Sequence, residues 1–341
     1  MTRVLVTGAN GFIGQHLVRA LVDSGNTVRG LRHTPTPLNF VSQDEVEWIE
    51  ADLANPSSLK GIAQSIDTVY HLGAIPRNDL GKSWNDFLEV NVKGTRELLR
   101  ECDEAGVRRF VYTSTVEAAG YGDGINPRRE LDEPRPDNNY GKSKLEAERI
   151  VLDGSWRMEC CVVRLPMIYG PGTMLVVPKL FGMVRRGFYP LIGDGSAPME
   201  FCYVANAVHG LRLAAQRPEA ISELFYVSDE RTYTIKEVVS YVAHAMGCKV
   251  QFVRIPTTLA YTAAACFELL AKALPFPPFV SPYSRKPFFT RETVYWTTSR
   301  VNMVSIEKAK SQLGYRPQVD IATGCRLTAE WLIPLLETSS R

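Results

Sequence analysis

The stretch VLVTGANGFIGQHL, residues 4–17, decides the fold of this chain. A short apolar run ends at Gly8, two more glycines follow at spacings of three, Gly11 and Gly14, and a helical pattern then begins. Glycine in such a turn allows a tight bend and lets a pyrophosphate approach backbone N–H groups, while the helix N-terminus favours negative charge. The stretch therefore predicts a nucleotide-binding site near the start of the chain.

Apolar segments alternate with helical patterns through the first half of the chain. Beyond the first strand, further strands are predicted over residues 27–31, 46–53, 67–74, 109–115 and 160–166. Helices are predicted between them, over residues 58–66, 91–106 and 140–152. Such alternation is typical of a parallel sheet covered on both faces, so the sequence predicts an α/β fold with a Rossmann-type, doubly wound parallel sheet. Ligands in this architecture bind at the carboxyl ends of the strands.

The pattern changes after YGPGT (169–173), where proline and glycine become frequent. We predict a dinucleotide-binding domain over residues 1–170 and a smaller C-terminal substrate-binding domain over residues 171–335. Residues 202–227 resume a helix followed by an apolar strand, and we expect them to return to the first domain. The two domains are therefore expected to be interleaved.

The composition limits the partners. The chain of 341 residues has the 45% hydrophobic and 22% charged residues of an ordinary globular protein. Its 39 basic and 37 acidic side chains include no basic block like that of a nucleic-acid-binding surface, so we expect no nucleic acid partner. The seven cysteines include no C-x-x-C pair, which argues against a zinc site and a disulfide framework and favours reduced thiols in a cytoplasm. No metal is expected.

Neither a secretion signal nor a membrane-spanning segment is predicted. The most apolar later stretch, residues 259–274, is shorter than a membrane span and contains Glu268 and Lys272. We interpret it as an amphipathic or buried helix, and peripheral contact with a membrane stays open.

The stretch YGKSK, residues 140–144, sets a phenol and an ammonium group four positions apart. On a helix this spacing brings Tyr140 and Lys144 onto one face, about 5 to 6 Å apart. A free phenol has a pKa of about 10, and one cation at about 4 Å contributes about 4 kcal/mol at an effective dielectric of 20, enough to lower that pKa by about three units. We therefore expect Lys144 to lower the pKa of Tyr140 toward neutrality. An ordinary pair on a helix surface is the alternative.

The end of the second strand, VRGLRHT, bears on the form of the dinucleotide. Roughly 20 residues after the glycines, a carboxylate suits the ribose 2′-OH of NAD, whereas an arginine suits the 2′-phosphate of NADP. The sequence has Arg32 and His33 here, and a guanidinium offers phosphate a planar fork. We expect NADP(H) as the preferred cofactor and NAD(H) as the second choice. A surface arginine without a role is the alternative.

Further motifs lie in order along the chain: ADL (51–53), VYHLGA (69–74), NVKGT (91–95), YTST (112–115), YGKSK and VVRLPMIYGPG (162–172). With these motifs and its G-x-x-G-x-x-G loop, the chain resembles the extended short-chain dehydrogenase/reductase superfamily. Beside the glycines, Arg32 and His33, the resemblance implies cofactor contacts from Asn10, Phe12, Ile13, Asp52, Leu53, Leu72, Gly73, Ala74, Thr113, Tyr140, Lys144, Pro166 and Ile168. In the alternative, such positions are only strand ends.

The resemblance also implies the catalytic residues. Tyr140 and Lys144 match the family's catalytic pair, and the hydroxyl that holds the substrate oxygen is expected at Thr115, with Ser114 as the second choice. Asn91 matches a residue that orients the lysine through a water, although on spacing alone it would be a helix N-cap. Tyr140 would then donate a proton to a carbonyl oxygen while hydride reaches the carbon.

Departures from the family's patterns narrow the branch. Val116 stands where sugar dehydratases carry an aspartate, which argues against dehydration. Met199 and Glu200 stand where nucleotide-sugar epimerases carry an arginine, so a substrate diphosphate would meet the wrong charge. The stretch YVANAVHG (203–210) and the C-terminal third instead resemble the 3β-hydroxysteroid dehydrogenase-like branch, which includes sterol dehydrogenases and reductases of long-chain β-keto acids.

The second domain is rich in apolar residues, as a hydrophobic substrate requires. We expect most of them to form ordinary core and a few to line an apolar pocket. They are Met167, Met174, Leu175, Val176, Val177, Phe181, Met183, Phe188, Tyr189, Phe276, Phe279, Phe288 and Phe289.

The sequence therefore predicts an NADP(H)-dependent oxidoreductase that interconverts a ketone and a secondary alcohol on a steroid-like or long-chain β-keto substrate. A nucleotide-sugar 4-epimerase with bound NAD(P) is the alternative, and a non-catalytic dinucleotide sensor or scaffold is the third interpretation. The resemblance also implies a homodimer that pairs through helices 91–106 and 140–153.

Overall fold

The computed structural model describes residues 2–77, 82–173, 176–273, 289–299, 301 and 303–338. In chain order, the strands of this part are β1 (Arg3–Thr7), β2 (Thr27–Arg32), β3 (Glu47–Glu50), β4 (Thr68–His71), β5 (Arg109–Thr115), β6 (Glu159–Leu165), β7 (Met167–Tyr169), β8 (Phe188–Ile192), β9 (Pro198–Met199), β10 (Phe201–Tyr203), β11 (Leu224–Tyr226), β12 (Tyr233–Thr234) and β13 (Gln251–Ile255).

Seven of these strands form one parallel sheet in the order β11, β6, β5, β4, β1, β2, β3. Val4 and Val6 of β1 belong to one apolar core and Leu5 to a second, so side chains that alternate along the strand meet a core on each face. All seven residues of β5 are buried, as a strand covered on both faces requires. The predicted doubly wound α/β fold is confirmed.

The helices complete the description of the chain. They are α1 (Phe12–Asp23), α2 (Trp84–Phe87), α3 (Gly94–Glu104), α4 (Val116–Ala119), α5 (Asn139–Val151), α6 (Val176–Arg185), α7 (Val204–Gln216), α8 (Ile235–Ala245), α9 (Thr257–Ala273), α10 (Arg291–Thr298) and α11 (Ile321–Thr338). A π-helical segment, Leu88–Lys93, joins α2 to α3, and a second one covers Ala309–Leu313.

The predicted helix over residues 58–66 is wrong. A short 3-10 helix, Pro56–Leu59, is followed only by turns. Gly61 has φ of 77° and Ser65 has φ of 61°, and an α-helix has no place for this left-handed backbone. The apolar residues Leu59, Ile62 and Ile66 are nevertheless buried, which explains why their spacing resembled a helix.

Elements late in the chain return to the sheet. β11 pairs in parallel with β6 and closes one edge. Ala207 and Leu211 of α7 are buried in the same core as Val4 of β1. Residues 202–227 thus pack with the sheet, and the division of the chain at residue 170 stays a prediction.

A third apolar core joins α6, α8 and α11, with Phe181, Val239 and Leu332 buried inside it. Val177 also lies in this core, so it and Phe181 fill the interior rather than a pocket. Five of the apolar residues expected near the substrate lie outside the described residues: Met174, Leu175, Phe276, Phe279 and Phe288.

Helix α9 covers most of the apolar stretch 259–274, whose last residue lies outside the described part. Leu269 is 72% exposed and Leu259 is 59% exposed, so the helix is not buried on all sides. Within the described residues, no helix combines the length and hydrophobicity that crossing a membrane requires.

Candidate active site

The glycine loop between β1 and α1 is closed too tightly for side chains. Gly8 has φ of 65°, and a Cβ there would lie 3.0 Å from the backbone nitrogen of Gly73. A Cβ on Gly14 would lie 2.1 Å from the carbonyl oxygen of Gly8. Gly11 caps α1 without a side-chain hydrogen bond, so no side chain covers the N–H groups of its first turn. This bare helix end fits a dinucleotide pyrophosphate.

The residues beside the glycines hold the loop in place. The amide of Asn10 donates to the carbonyl oxygen of Thr34 at 2.7 Å and to Oγ1 of Thr36 at 2.8 Å. The ring of Phe12 packs edge-on against His16, and Ile13 packs against the core beneath. Asn10 therefore fixes the segment that follows β2.

The charged residues at the end of β2 already have partners. Nη2 of Arg32 lies 3.1 Å from Oε1 of Glu50, and its guanidinium stacks 5.3 Å from the ring centroid of Trp48. Nε2 of His33 lies 3.5 Å from a carboxylate oxygen of Asp52, and both side chains are exposed. A phosphate that binds Arg32 would have to compete with Glu50.

The other predicted cofactor contacts lie at neighbouring strand ends. The N–H groups of Leu72 and Gly73, directly after β4, donate to Oγ1 of Thr7. The side chain of Leu53 limits the space above Gly73. Asp52 accepts from the N–H of Ala54, and Ala74 is partly exposed. Beyond β6, Pro166 is buried and Ile168 packs between two apolar cores.

Helix α5 places Tyr140 and Lys144 beside the end of β5. Asn138 caps the helix by accepting from the N–H of Gly141 at 2.8 Å. Nζ of Lys144 donates to the carbonyl oxygen of Thr113 at 2.8 Å and lies 4.0 Å from the ring centroid of Tyr112. Burial lowers the pKa of Lys144 to about 7, against the opposing effect of Glu148.

The expected decrease in the pKa of Tyr140 does not occur in this structure. Burial and the nearby carboxylate of Glu117 raise the pKa of the phenol, and Arg77 and a hydrogen bond with Thr115 oppose them only in part. The ammonium of Lys144 is directed at a backbone carbonyl and an aromatic face instead. The phenol is therefore protonated near neutral pH.

The three hydroxyl-bearing residues at the end of β5 point to different surroundings. Oγ1 of Thr115 accepts from the N–H of Glu117 at 3.3 Å and bonds the phenol of Tyr140. Ser114 donates to Oε1 of Glu148 at 2.5 Å and is buried. Alternation along the strand separates the two, so Thr115 faces the phenol and Ser114 does not. Thr113 is also buried and offers its carbonyl oxygen to Lys144.

Asn91 lies inside a helical stretch, so its interpretation as an N-cap is wrong. The stretch begins at Trp84, where Ser83 is the cap, and Asn91 falls in the π-helical segment. Its Oδ1 accepts from the N–H of Ile75 at 2.8 Å, and its Nδ2 donates to Oγ of Ser143 at 3.0 Å. Asn91 thus connects the loop after β4 to the helix that carries Tyr140.

Sequence reasoning missed a charged cluster next to the phenol. Nε of Arg77 lies 2.8 Å from Oε2 of Glu117, and its Nη2 lies 2.9 Å from Oε1 of Glu292 in α10. Arg77 and Glu292 are 215 positions apart, so no local pattern could have revealed this pair.

Glu200 does not face a substrate as the sequence suggested. It is buried, and its Oε1 accepts from the hydroxyl of Thr232 at 2.7 Å. Burial raises the pKa of Glu200 to about 7. The argument that its charge would repel a diphosphate is therefore withdrawn.

Known proteins share the sequence pattern of this chain. The model of the NAD dependent epimerase/dehydratase family matches residues 4–228. The 3 beta-hydroxysteroid dehydrogenase/Delta 5-->4-isomerase of Mycobacterium tuberculosis is 31% identical, over 92% of this chain and 86% of its own length. The 2-alkyl-3-oxoalkanoate reductase of Stenotrophomonas maltophilia is 30% identical, over 95% of this chain and 97% of its own.

Solved structures share the fold. MoeE5 in complex with UDP-glucuronic acid and NAD superposes with a TM-score of 0.73 at 27% identity, covering 98% of this chain and 99% of its own. Epimerase Mth375 of Methanothermobacter thermautotrophicus superposes with a TM-score of 0.78 at 24% identity, covering 99% and 94%.

Proposed function

Because the chain belongs to the NAD dependent epimerase/dehydratase family, we propose that it is an NADP(H)-dependent oxidoreductase that interconverts a ketone and a secondary alcohol on a hydrophobic substrate. One observation carries the proposal: the glycine loop, the end of β4 and the Tyr140 helix meet at the carboxyl edge of the sheet. Gly8 lies against Gly73, and Asn91 joins Ile75 to the helix that carries Tyr140.

In the proposed reduction, the phenol of Tyr140 donates its proton to the carbonyl oxygen of the ketone, and that proton becomes the hydroxyl hydrogen of the alcohol. A bound dihydronicotinamide supplies the hydride that the carbonyl carbon accepts. The raised pKa keeps Tyr140 protonated, as a donor must be. Lys144 stabilises the phenolate that remains, and Thr115 holds the carbonyl oxygen.

The preference for NADP(H) rests on Arg32 at the end of β2. A 2′-phosphate carries more charge than the carboxylate of Glu50 and matches the planar fork of a guanidinium, so we propose that it displaces Glu50. NAD(H), which lacks this phosphate, leaves the Arg32–Glu50 pair intact and gains nothing from it.

The substrate class rests on the relatives and on the apolar second domain. One relative is named as a steroid dehydrogenase and another as a reductase of 3-oxoalkanoates, so we propose a steroid-like or long-chain β-keto substrate. Trp296 of α10 stacks 5.6 Å from the guanidinium of Arg77, which brings an aromatic surface of the second domain toward the Tyr140 side. We also propose a homodimer, which a native mass of twice 38.1 kDa would test.

The experiment mixes the purified chain with NADPH and a panel of steroid ketones and β-keto acids, and follows oxidation of NADPH by its absorbance. We expect oxidation with at least one ketone, and faster oxidation with NADPH than with NADH. A nucleotide-sugar 4-epimerase is the second candidate, because MoeE5 was solved with a UDP-sugar and NAD. Conversion of a UDP-sugar, with no ketone reduced, would favour that candidate.

A further inference from the structure

His71, the last residue of β4, is fully buried and hydrogen-bonded at both ring nitrogens. Nδ1 lies 2.7 Å from Oγ1 of Thr7, and Nε2 lies 2.9 Å from Oγ1 of Thr95. Thr7 immediately precedes the glycine loop, and Thr95 begins α3 on the side of the catalytic helix. The imidazole therefore stands between two parts of the site that are far apart in the sequence.

The hydrogen bonds around His71 can have only one direction. Oγ1 of Thr7 accepts from the N–H groups of Leu72 at 3.1 Å and Gly73 at 2.9 Å, which occupies both of its lone pairs. Its single hydrogen must then be donated to Nδ1 of His71. Because Nδ1 is an acceptor, the ring proton is on Nε2 and is donated to Thr95.

The same direction continues toward Tyr140. The hydroxyl of Thr95 donates to the carbonyl oxygen of Asn91 at 2.7 Å. The side chain of Asn91 donates to Oγ of Ser143, and Ser143 donates to the carbonyl oxygen of Tyr140 at 2.8 Å. A continuous hydrogen-bond chain thus joins the residue before Gly8 to the backbone of Tyr140.

The imidazole must stay neutral for this chain to hold. A protonated ring would donate from both nitrogens, and Nδ1–H would face a Thr7 hydroxyl whose lone pairs are already used. Burial lowers the pKa of His71 to about 3, and the charge of Lys144 lowers it further. The ring is therefore neutral throughout the range in which an enzyme of this kind works.

We propose that His71 is a positioning residue that couples the dinucleotide loop to the Tyr140 helix, through a neutral imidazole fixed with its proton on Nε2. The inference deepens the proposed function, because the loop and the helix are the two halves of that site. A purely structural histidine would fill the same space but would not make the two halves depend on each other energetically.

A double-mutant cycle on dinucleotide binding tests the coupling. Ser143→Ala lies at the Tyr140 end and Thr7→Val at the loop end, and they connect through His71. We expect Ser143→Ala to weaken NADP⁺ binding at least about threefold in the parent chain and much less in the Thr7→Val background. Equal effects of Ser143→Ala in both backgrounds would overturn the proposal. The matched control is Thr328→Val, which removes a buried hydroxyl that donates to Gly324 in α11 and is expected to show no coupling.

The tautomer is tested separately, on the parent protein labelled with ¹⁵N-histidine. We expect the NMR signals of His71 to show an unprotonated Nδ1 and a protonated Nε2 that do not change between pH 5 and pH 8. A protonated Nδ1, or titration in that range, would overturn the proposal. Neither readout needs turnover, so a failed search for a ketone substrate would contradict the proposed reaction and leave this test intact.

Discussion

Tyr140 and Lys144 carry the chemistry of the proposed reaction, yet their charges differ from what a simple ion pair would give. The phenol is held neutral by burial and by Glu117, and the amine is close to losing its proton. Such a site favours proton donation to a ketone, because the donor keeps its proton until charge develops on the substrate oxygen.

Replacing Tyr140 with phenylalanine tests its role directly. Tyr140→Phe removes only the hydroxyl, so we expect kcat for ketone reduction to fall by about 10²- to 10⁴-fold while NADP⁺ binding is unchanged. Tyr241→Phe, on α8 in the third core, is the matched control and should keep full activity. Full turnover by Tyr140→Phe would remove the phenol from the mechanism.

Lys144 makes the stability of the protein depend on pH. Its pKa is about 7 in the folded protein and 10.5 in the unfolded chain, so the unfolded chain binds more protons between these values. Stability should therefore rise with pH in that window, by at most about 1.4 kcal/mol per pH unit. The measurement is urea unfolding of the cofactor-free protein and of Lys144→Met between pH 7 and pH 10. A difference between the two proteins that stays constant with pH would contradict the burial of a titrating amine.

Among the elements, the turn between β1 and α1 has the least freedom. We expect Gly14→Ala to abolish NADP⁺ binding, because its Cβ would lie 2.1 Å from the carbonyl oxygen of Gly8 and neither backbone can move away. Gly182→Ala in α6 is the matched control: its Cβ meets nothing within 4 Å, and the protein should gain about 0.5 to 1 kcal/mol of stability. Calorimetric titration with NADP⁺ measures the first effect, and unimpaired binding by Gly14→Ala would contradict the description of the loop.

A buried ion pair joins α5 to the sheet beneath the catalytic residues. Nη2 of Arg164 lies 2.6 Å from Oε2 of Glu148, both are almost fully buried, and Ser114 donates to the same carboxylate. Glu148→Gln leaves the guanidinium without its counter-charge, so we expect the free energy of unfolding to fall by about 3 to 5 kcal/mol.

The exposed pair between Arg326 and Glu330 in α11 is the control for that substitution. Both side chains are more than half exposed, so Glu330→Gln should change the free energy of unfolding by about 0.5 kcal/mol or less. Equal effects of the two substitutions in urea unfolding would show that the buried pair has no special weight.

Over the whole molecule, local sequence patterns predicted the parts that depend on neighbouring residues. The glycine spacing predicted the turn, and the four-residue spacing placed Tyr140 and Lys144 on one helix. The failures have physical causes. Gly61 and Ser65 turned an apparent helix into turns through their left-handed backbone, and the pKa of Tyr140 depends on burial and on Glu117, which the sequence alone does not locate.

Contacts between distant segments were out of reach of the sequence for another reason. Arg77 meets Glu292 across 215 positions, and His71 finds its two partners at separations of 64 and 24. Only the folded sheet brings these groups together, because its strand order places β4 between β1 and β5.

The central claim is that hydride passes between the dinucleotide and a ketone at the Tyr140 site. The most direct measurement supplies NADPH deuterated at the transferable position of the nicotinamide, together with a ketone that the chain consumes, and locates the label by mass spectrometry. The account predicts one deuterium on the carbinol carbon of the product alcohol. An alcohol product without deuterium at that carbon would contradict it.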